Sequence, residues 1–134
     1  FLSYKYNMEL GRRSLQDYYN ITHNSKICLS PYGMGEIGER DYEAMMLGTI
    51  ILKPSCERVD SYPKMMIENE TYVPCNYDWS DLEEKIDYVL SNFKELNEKL
   101  VSNCRTYFVK HFTHESIGQY LYNMFKNLDS ITVE

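Results

Sequence analysis

Gly33, Gly35, Glu36, Gly38, Arg40 and Glu43 lie close together, directly after the apolar run Ile27 to Leu29. Glycines let a backbone approach a ligand closely. A helix starting behind them aims unpaired N–H groups at the turn, an arrangement that suits phosphate. Glu36, Arg40 and Glu43 are spaced four and three residues apart, so on a helix they share one stripe. Carboxylates accept hydrogen bonds from sugar hydroxyls, and a guanidinium forks onto phosphate. Together these residues could hold a phosphorylated, hydroxyl-rich molecule such as a nucleotide sugar. They also fit a plainer role. Acidic residues suit the positive end of a helix, and Glu36–Arg40 and Arg40–Glu43 can form ordinary surface pairs.

The elements that must position these residues follow from periodicity. An aromatic, alternating start at Phe1 to Asn7 suggests a strand. Gly11 to His23 has helical spacing, with Leu15, Tyr18 and Tyr19 on one side. Lys26 to Ser30 is a short strand that Pro31 cannot continue. A helix is expected over 37–47, with Tyr42, Met45 and Met46 toward the sheet and Gly48 as its stop. Thr49 to Lys53 reads as a continuous β-branched run, the mark of a strand buried on both faces, and Pro54 ends it. Residues 55–69 are irregular, with one helical turn expected near Tyr62 to Ile67. Thr71 to Cys75 is a third strand, ended by Pro74 and the turn from Asn76 to Trp79.

Ser80 and Glu83 have capping-box spacing at the start of a long helix whose apolar stripe is Leu82, Ile86, Val89, Leu90 and Phe93. Helix resumes after Phe93, with Leu96, Leu100 and Val101 inward. Thr113 can cap a last helix that turns Ile117, Tyr120, Leu121, Met124, Phe125 and Leu128 to the core. Strands alternating with helices imply an α/β class: a Rossmann-like parallel sheet with flanking helices and a C-terminal helical segment over 94–134. In such sheets the turns after strands share one edge, where ligands bind. Here those turns are 31–36, 54–60 and 76–79.

A chain of 134 residues fits one domain with a real core. The net charge of −6 speaks against nucleic-acid binding, which calls for a basic stripe; Arg12 and Arg13 make only a short basic cluster. The start at Phe1 without Met points to a piece of something longer. No signal peptide or long apolar span is visible. The four cysteines are widely spaced without a C-x-x-C, which favours free thiols and a cytoplasmic setting. The sequons at Asn20 and Asn69 leave a lumenal one open. His111 and His114 lack further spaced ligands, so no metal site is expected. His23 is expected on the surface. Trp79 is expected to pack over the sheet edge, and Met45, Met46, Met65 and Met66 to fill the core.

Gly33, Gly35 and Gly38 also satisfy G-x-G-x-x-G, the dinucleotide fingerprint. The acidic residue expected after the next strand is missing, and Lys53 and Pro54 stand in its place. A lysine suits a 2′-phosphate, so an NADP-binding oxidoreductase segment is one alternative. A non-catalytic α/β interaction module is another.

Three runs, SPYGMGE at 30–36, RDYEAM at 40–45 and GTIILKP at 48–54, resemble the donor-binding half of GT-B glycosyltransferases, of the family 1 and 4 type or exostosin-like. TYVP at 71–74 and DWSDLEEKI at 78–86 fit the same pattern. The resemblance covers roughly residues 26 to 125. It implies a glycosyltransferase fragment that binds a nucleotide-diphosphate sugar as donor substrate, without a separate cofactor. By it, Glu43 is similar to the glutamate that hydrogen-bonds the donor ribose. The loop Tyr32, Gly33, Met34, Gly35 and Glu36 would lie against diphosphate and sugar, and Arg40 would touch phosphate or sugar. Retaining members carry a first glutamate eight residues before the second; that position is Gly35 here, and Glu36 follows it. The implied partners are the nucleotide sugar, an acceptor that is a glycan, lipid or protein, and a missing N-terminal half, without which the fragment would be inactive. The implied setting is cytoplasmic, peripheral to a membrane, or the Golgi lumen.

Overall fold

The run Ile50 to Pro54 leaves no side chain for solvent, and it becomes the central strand. A computed structural model describes residues 2–128; Phe1 and residues 129–134 lie outside the described residues, as does the side chain of Leu128. Three parallel strands, β1 (Ile27–Leu29), β2 (Ile50–Pro54) and β3 (Val73–Cys75), form an open sheet in the order β1-β2-β3. Ile27 pairs with Ile50 and Leu29 with Leu52 on one side of β2, while Leu52 pairs with Val73 and Pro54 with Cys75 on the other. Every residue of β2 is buried, as expected for a parallel strand covered on both faces. Pro54 therefore closes the strand from inside it. Pro74 lies within β3, an outer strand of this sheet, where the missing N–H can face away from the ladder.

Six helices, α1 (Leu2–Lys5), α2 (Leu15–Asn24), α3 (Glu39–Leu47), α4 (Leu82–Ser91), α5 (Phe93–His111) and α6 (His114–Leu128), accompany the sheet. The fold is thus α/β with a parallel open sheet. The expected strand at the start is instead the single turn α1. Lys5 Nζ reaches Glu83 at 2.8 Å and Asp87 at 3.1 Å, and Tyr6 donates its hydroxyl to Asp87 at 2.7 Å. These ties to α4 take the place of strand pairing.

Helix α2 begins four residues later than the periodicity suggested, because Ser14 caps it by accepting from Asp17 N at 3.2 Å. Helix α3 begins at Glu39, with Gly38 as N-cap, and ends at Gly48, whose φ of 76° is the left-handed stop that glycine tolerates.

Four further expectations are corrected. No helical turn forms over 62–67; the segment is irregular and tied to Thr71, whose Oγ1 accepts from Ile67 N and donates to Met65 O. Ser80 and Glu83 do not make a capping box. Asp81 is the N-cap of α4, and its carboxylate accepts from Asn76 N at 2.8 Å, while Ser80 Oγ accepts from Asn76 Nδ2. Leu90 and Met46 are exposed, because Ile86, Val89 and Met45 already fill the inward side of their helices.

The last correction is α6. Thr113 does cap it, accepting from Ser116 N at 3.1 Å. Yet Ile117, Leu121, Met124 and Phe125 are all exposed. The sheet's two faces are already covered by α3, α4 and α5, so α6 packs beside α5. There Tyr120 stacks on Tyr62 with ring centres 3.9 Å apart.

The core divides along β2. Ile51 clusters with Ala44, Met45, Met65, Met66, Tyr72 and Cys104 on the α3 face. Ile50 and Leu52 cluster with Val73, Ile86, Val89 and Leu100 on the α4 face, where Trp79 and Leu82 join them. All four cysteines are free thiols. Among the described residues, no helix is long and apolar enough to cross a membrane.

Candidate functional site

Because all three strands run the same way, the segments that follow them emerge at one edge. Tyr32 and Glu36 after β1, Ser55, Arg58 and Val59 after β2, and Tyr77 after β3 line a single cleft of about 430 Å³ there. Tyr32 ties the first segment to the second. Its hydroxyl donates to Ser55 O at 2.5 Å, and its ring meets Tyr77 edge-on at 5.8 Å between centres. Burial, and next the nearby Cys56 thiol, push the Tyr32 hydroxyl up to about 12, so at neutral pH it keeps the proton it donates. Ser55 is held in turn: its hydroxyl donates to Glu68, and its N–H donates to Cys75 O at 3.2 Å.

The glycine turn is anchored at both ends by a buried ion pair. Lys53 Nζ lies 3.1 Å from Asp41 Oδ2, with both side chains 1% exposed. Lys53 also donates to Ser30 O at 3.4 Å, where the turn begins, and its Nζ sits 5.1 Å from the centre of the Tyr32 ring. Asp41 Oδ2 accepts from Gly38 N at 2.8 Å, where the turn ends. The amino end of α3 is therefore filled by its own aspartate. The sequence alone offered Lys53 to a 2′-phosphate. The signal was a lysine inside a run too apolar for an exposed strand, which demands a buried counter-charge.

The predicted site residues separate. Tyr32 and Glu36 line the cleft. Met34 projects fully into solvent at the tip of the turn, which is closed by a Gly33 N–H to Gly35 O bond of 3.1 Å. Glu36 precedes α3, so Glu36, Arg40 and Glu43 do not form one helical stripe. Glu43 is half-buried and accepts from the Tyr19 hydroxyl of α2 at 3.1 Å. Arg40 is exposed on α3 outside the cleft lining. No ion pair joins Arg40 to Glu36 or Glu43 among the described residues. Arg58 and Tyr77 were missed; only their positions just after two strands could have marked them.

Among the described residues, no group of His, Cys, Asp and Glu side chains could hold a metal ion. His23 is exposed and its Nδ1 lies 3.0 Å from Leu47 O, at the end of α3. His111 stacks on Tyr107. No protein-family model matches the chain, and no curated protein matches it.

Proposed function

We propose that the chain is the donor-binding half of a GT-B-like glycosyltransferase, which moves a sugar from a nucleotide-diphosphate sugar to an acceptor held by another half. The observation that carries this reading is the cleft at the carboxyl edge of the sheet, lined from behind all three strands and presenting Glu36, Arg58 and Tyr77. Ligands of parallel α/β sheets bind at that edge.

The glycines support it. Gly33, Gly35 and Gly38 all lie outside the left-handed region, and a Cβ at Gly33 or Gly38 would meet nothing. The chain's own packing therefore does not call for glycine at these two positions, and at Gly33 the bare backbone leaves room for a ligand to approach. Glu36 forms no ion pair among the described residues and is open to sugar hydroxyls. As the glycosidic bond breaks, negative charge grows on the leaving diphosphate, and donors fixed toward it lower the barrier. The acceptor and any catalytic base come from the missing half, so the fragment binds donor and is inactive alone. An NADP reading is weakened because Lys53 is buried against Asp41 and has no free face for a 2′-phosphate.

Titrating the 15N-labelled chain with UDP- and GDP-sugars tests the proposal. Shifts are expected at 31–38, 55–59 and Tyr77, with a weaker response in Gly33→Ala at unchanged melting temperature. A spectrum that no donor perturbs removes the reading.

A further inference from the structure

Resting on that reading, we infer that Arg58 is the phosphate-binding residue of the cleft and that Tyr77, braced by Tyr32, is the face on which the ligand's ring stacks. The expected phosphate site, the amino end of α3, is already acidic: the Gly38 N–H is spent on the Asp41 carboxylate, and Glu39 follows it. A diphosphate placed there would meet acidic side chains. Lys53 is closed off in the same pair, and Arg40 stands outside the cleft.

Arg58 remains. It lines the cleft from the segment after β2 and makes no hydrogen bond or ion pair through its guanidinium among the described residues. It is near enough to Tyr32 to act on the charge of that hydroxyl. A guanidinium in such a position offers a two-pronged grip on a phosphate. Glu36, Glu57 and Asp60 are the acidic groups close to it in the chain or the cleft wall. They discourage a bare polyanion and favour a ligand that brings hydroxyls along with its phosphates.

Tyr77 is 75% exposed. Among the described residues its one aromatic contact is the edge-on packing with Tyr32. That contact braces the ring while most of its surface stays open, and an open aromatic face accepts a base or sugar ring by stacking. Tyr32 itself is not free for this, since its ring already packs against Lys53 Nζ and Tyr77.

The experiment measures binding of UDP, GDP, uridine, guanosine and inorganic pyrophosphate to the full chain and to Arg58→Gln, Arg58→Lys and Tyr77→Ala, with thermal melts to confirm folding. Arg58→Gln should weaken the preferred nucleotide by about tenfold or more, with Arg58→Lys between it and the parent. It should leave nucleoside binding unchanged. Tyr77→Ala should weaken nucleotide and nucleoside alike. Pyrophosphate should bind more weakly than either nucleotide. Nucleotide affinity unchanged in Arg58→Gln, or nucleoside affinity falling with it, overturns the phosphate assignment while the proposed function stands. Pyrophosphate binding as tightly as the nucleotides overturns the ring assignment. A parent chain that binds no nucleotide at all overturns this inference and the glycosyltransferase reading together.

Discussion

The two faces of β2 solve different problems. On the α4 face Ile50 and Leu52 sit in an apolar cluster with Val73, Ile86, Val89 and Leu100. On the α3 face Ile51 is followed by Lys53, and a buried charge, a buried counter-charge and several tyrosines share the space with Met45, Met65 and Met66. The first face supplies stability, because removing apolar surface from water is the main driving force of folding. The second gives up some of that gain to fix the turn beside the cleft. Lys53 holds Ser30 O and Asp41 holds Gly38 N, so one ion pair grips both ends of the glycine segment. The pair is not fully satisfied: Asp41 Oδ1 is buried and has no hydrogen-bond partner among the described residues. Incomplete satisfaction marks a positioning device rather than a stabilising one, since a buried pair often gains little over well-packed apolar residues.

Breaking the pair is the largest test of that contrast. Lys53→Met should destabilise the chain by about 3–5 kcal/mol, because it leaves Asp41 charged and buried. Adding Asp41→Leu should recover most of the loss in chemical denaturation. The double variant should still lose the ordered signals of 31–38 in its NMR spectrum. If those signals persist unchanged, the pair does not position the turn.

The apolar face should behave more simply. Leu52→Ala should cost about 2–5 kcal/mol, from lost burial and the cavity left behind. It should leave the relative donor response of the cleft intact. An altered response would mean that the two faces are not separable.

The smallest effect is set by pH. Burial pushes the Cys75 thiol on the α4 face, and the Cys28 and Cys104 thiols on the other, up to about 11 from an ordinary value near 9. Between those values the unfolded chain releases protons that the native chain keeps. Stability is therefore unaffected below about pH 9 and falls as pH rises toward 11. Melting temperature followed across that window should decline, and the decline should be shallower in Cys75→Ala. A flat profile would show that the thiols are not held neutral by burial on either face.

How much of this was legible in the residues varies by region. The central strand was clear, because its unbroken apolar run admits no other placement. The stop at Gly48 was equally clear, as was the Thr113 cap. The two-carboxylate stripe misled: Glu36 sits before α3, since Asp41 rather than Glu36 serves the helix end. Glu43 was drawn to Tyr19, a partner on α2 that spacing cannot reveal. For α6 the apolar periodicity correctly gave a helix but wrongly gave a buried one. Periodicity reports that a face is apolar, not that anything covers it.

By itself, then, the sequence determined the α/β alternation, the parallel sheet and the edge at which the segments after its strands must gather. Those follow from local pattern and from the geometry of parallel strands, which need no knowledge of distant partners. Only the tertiary structure decided which side chains meet there. The pairing of Lys53 with Asp41, the loss of the α3 terminus as a phosphate site, and the arrival of Arg58 and Tyr77 at the cleft all join residues far apart in the chain. Their placement depends on packing between elements, and no spacing rule encodes that.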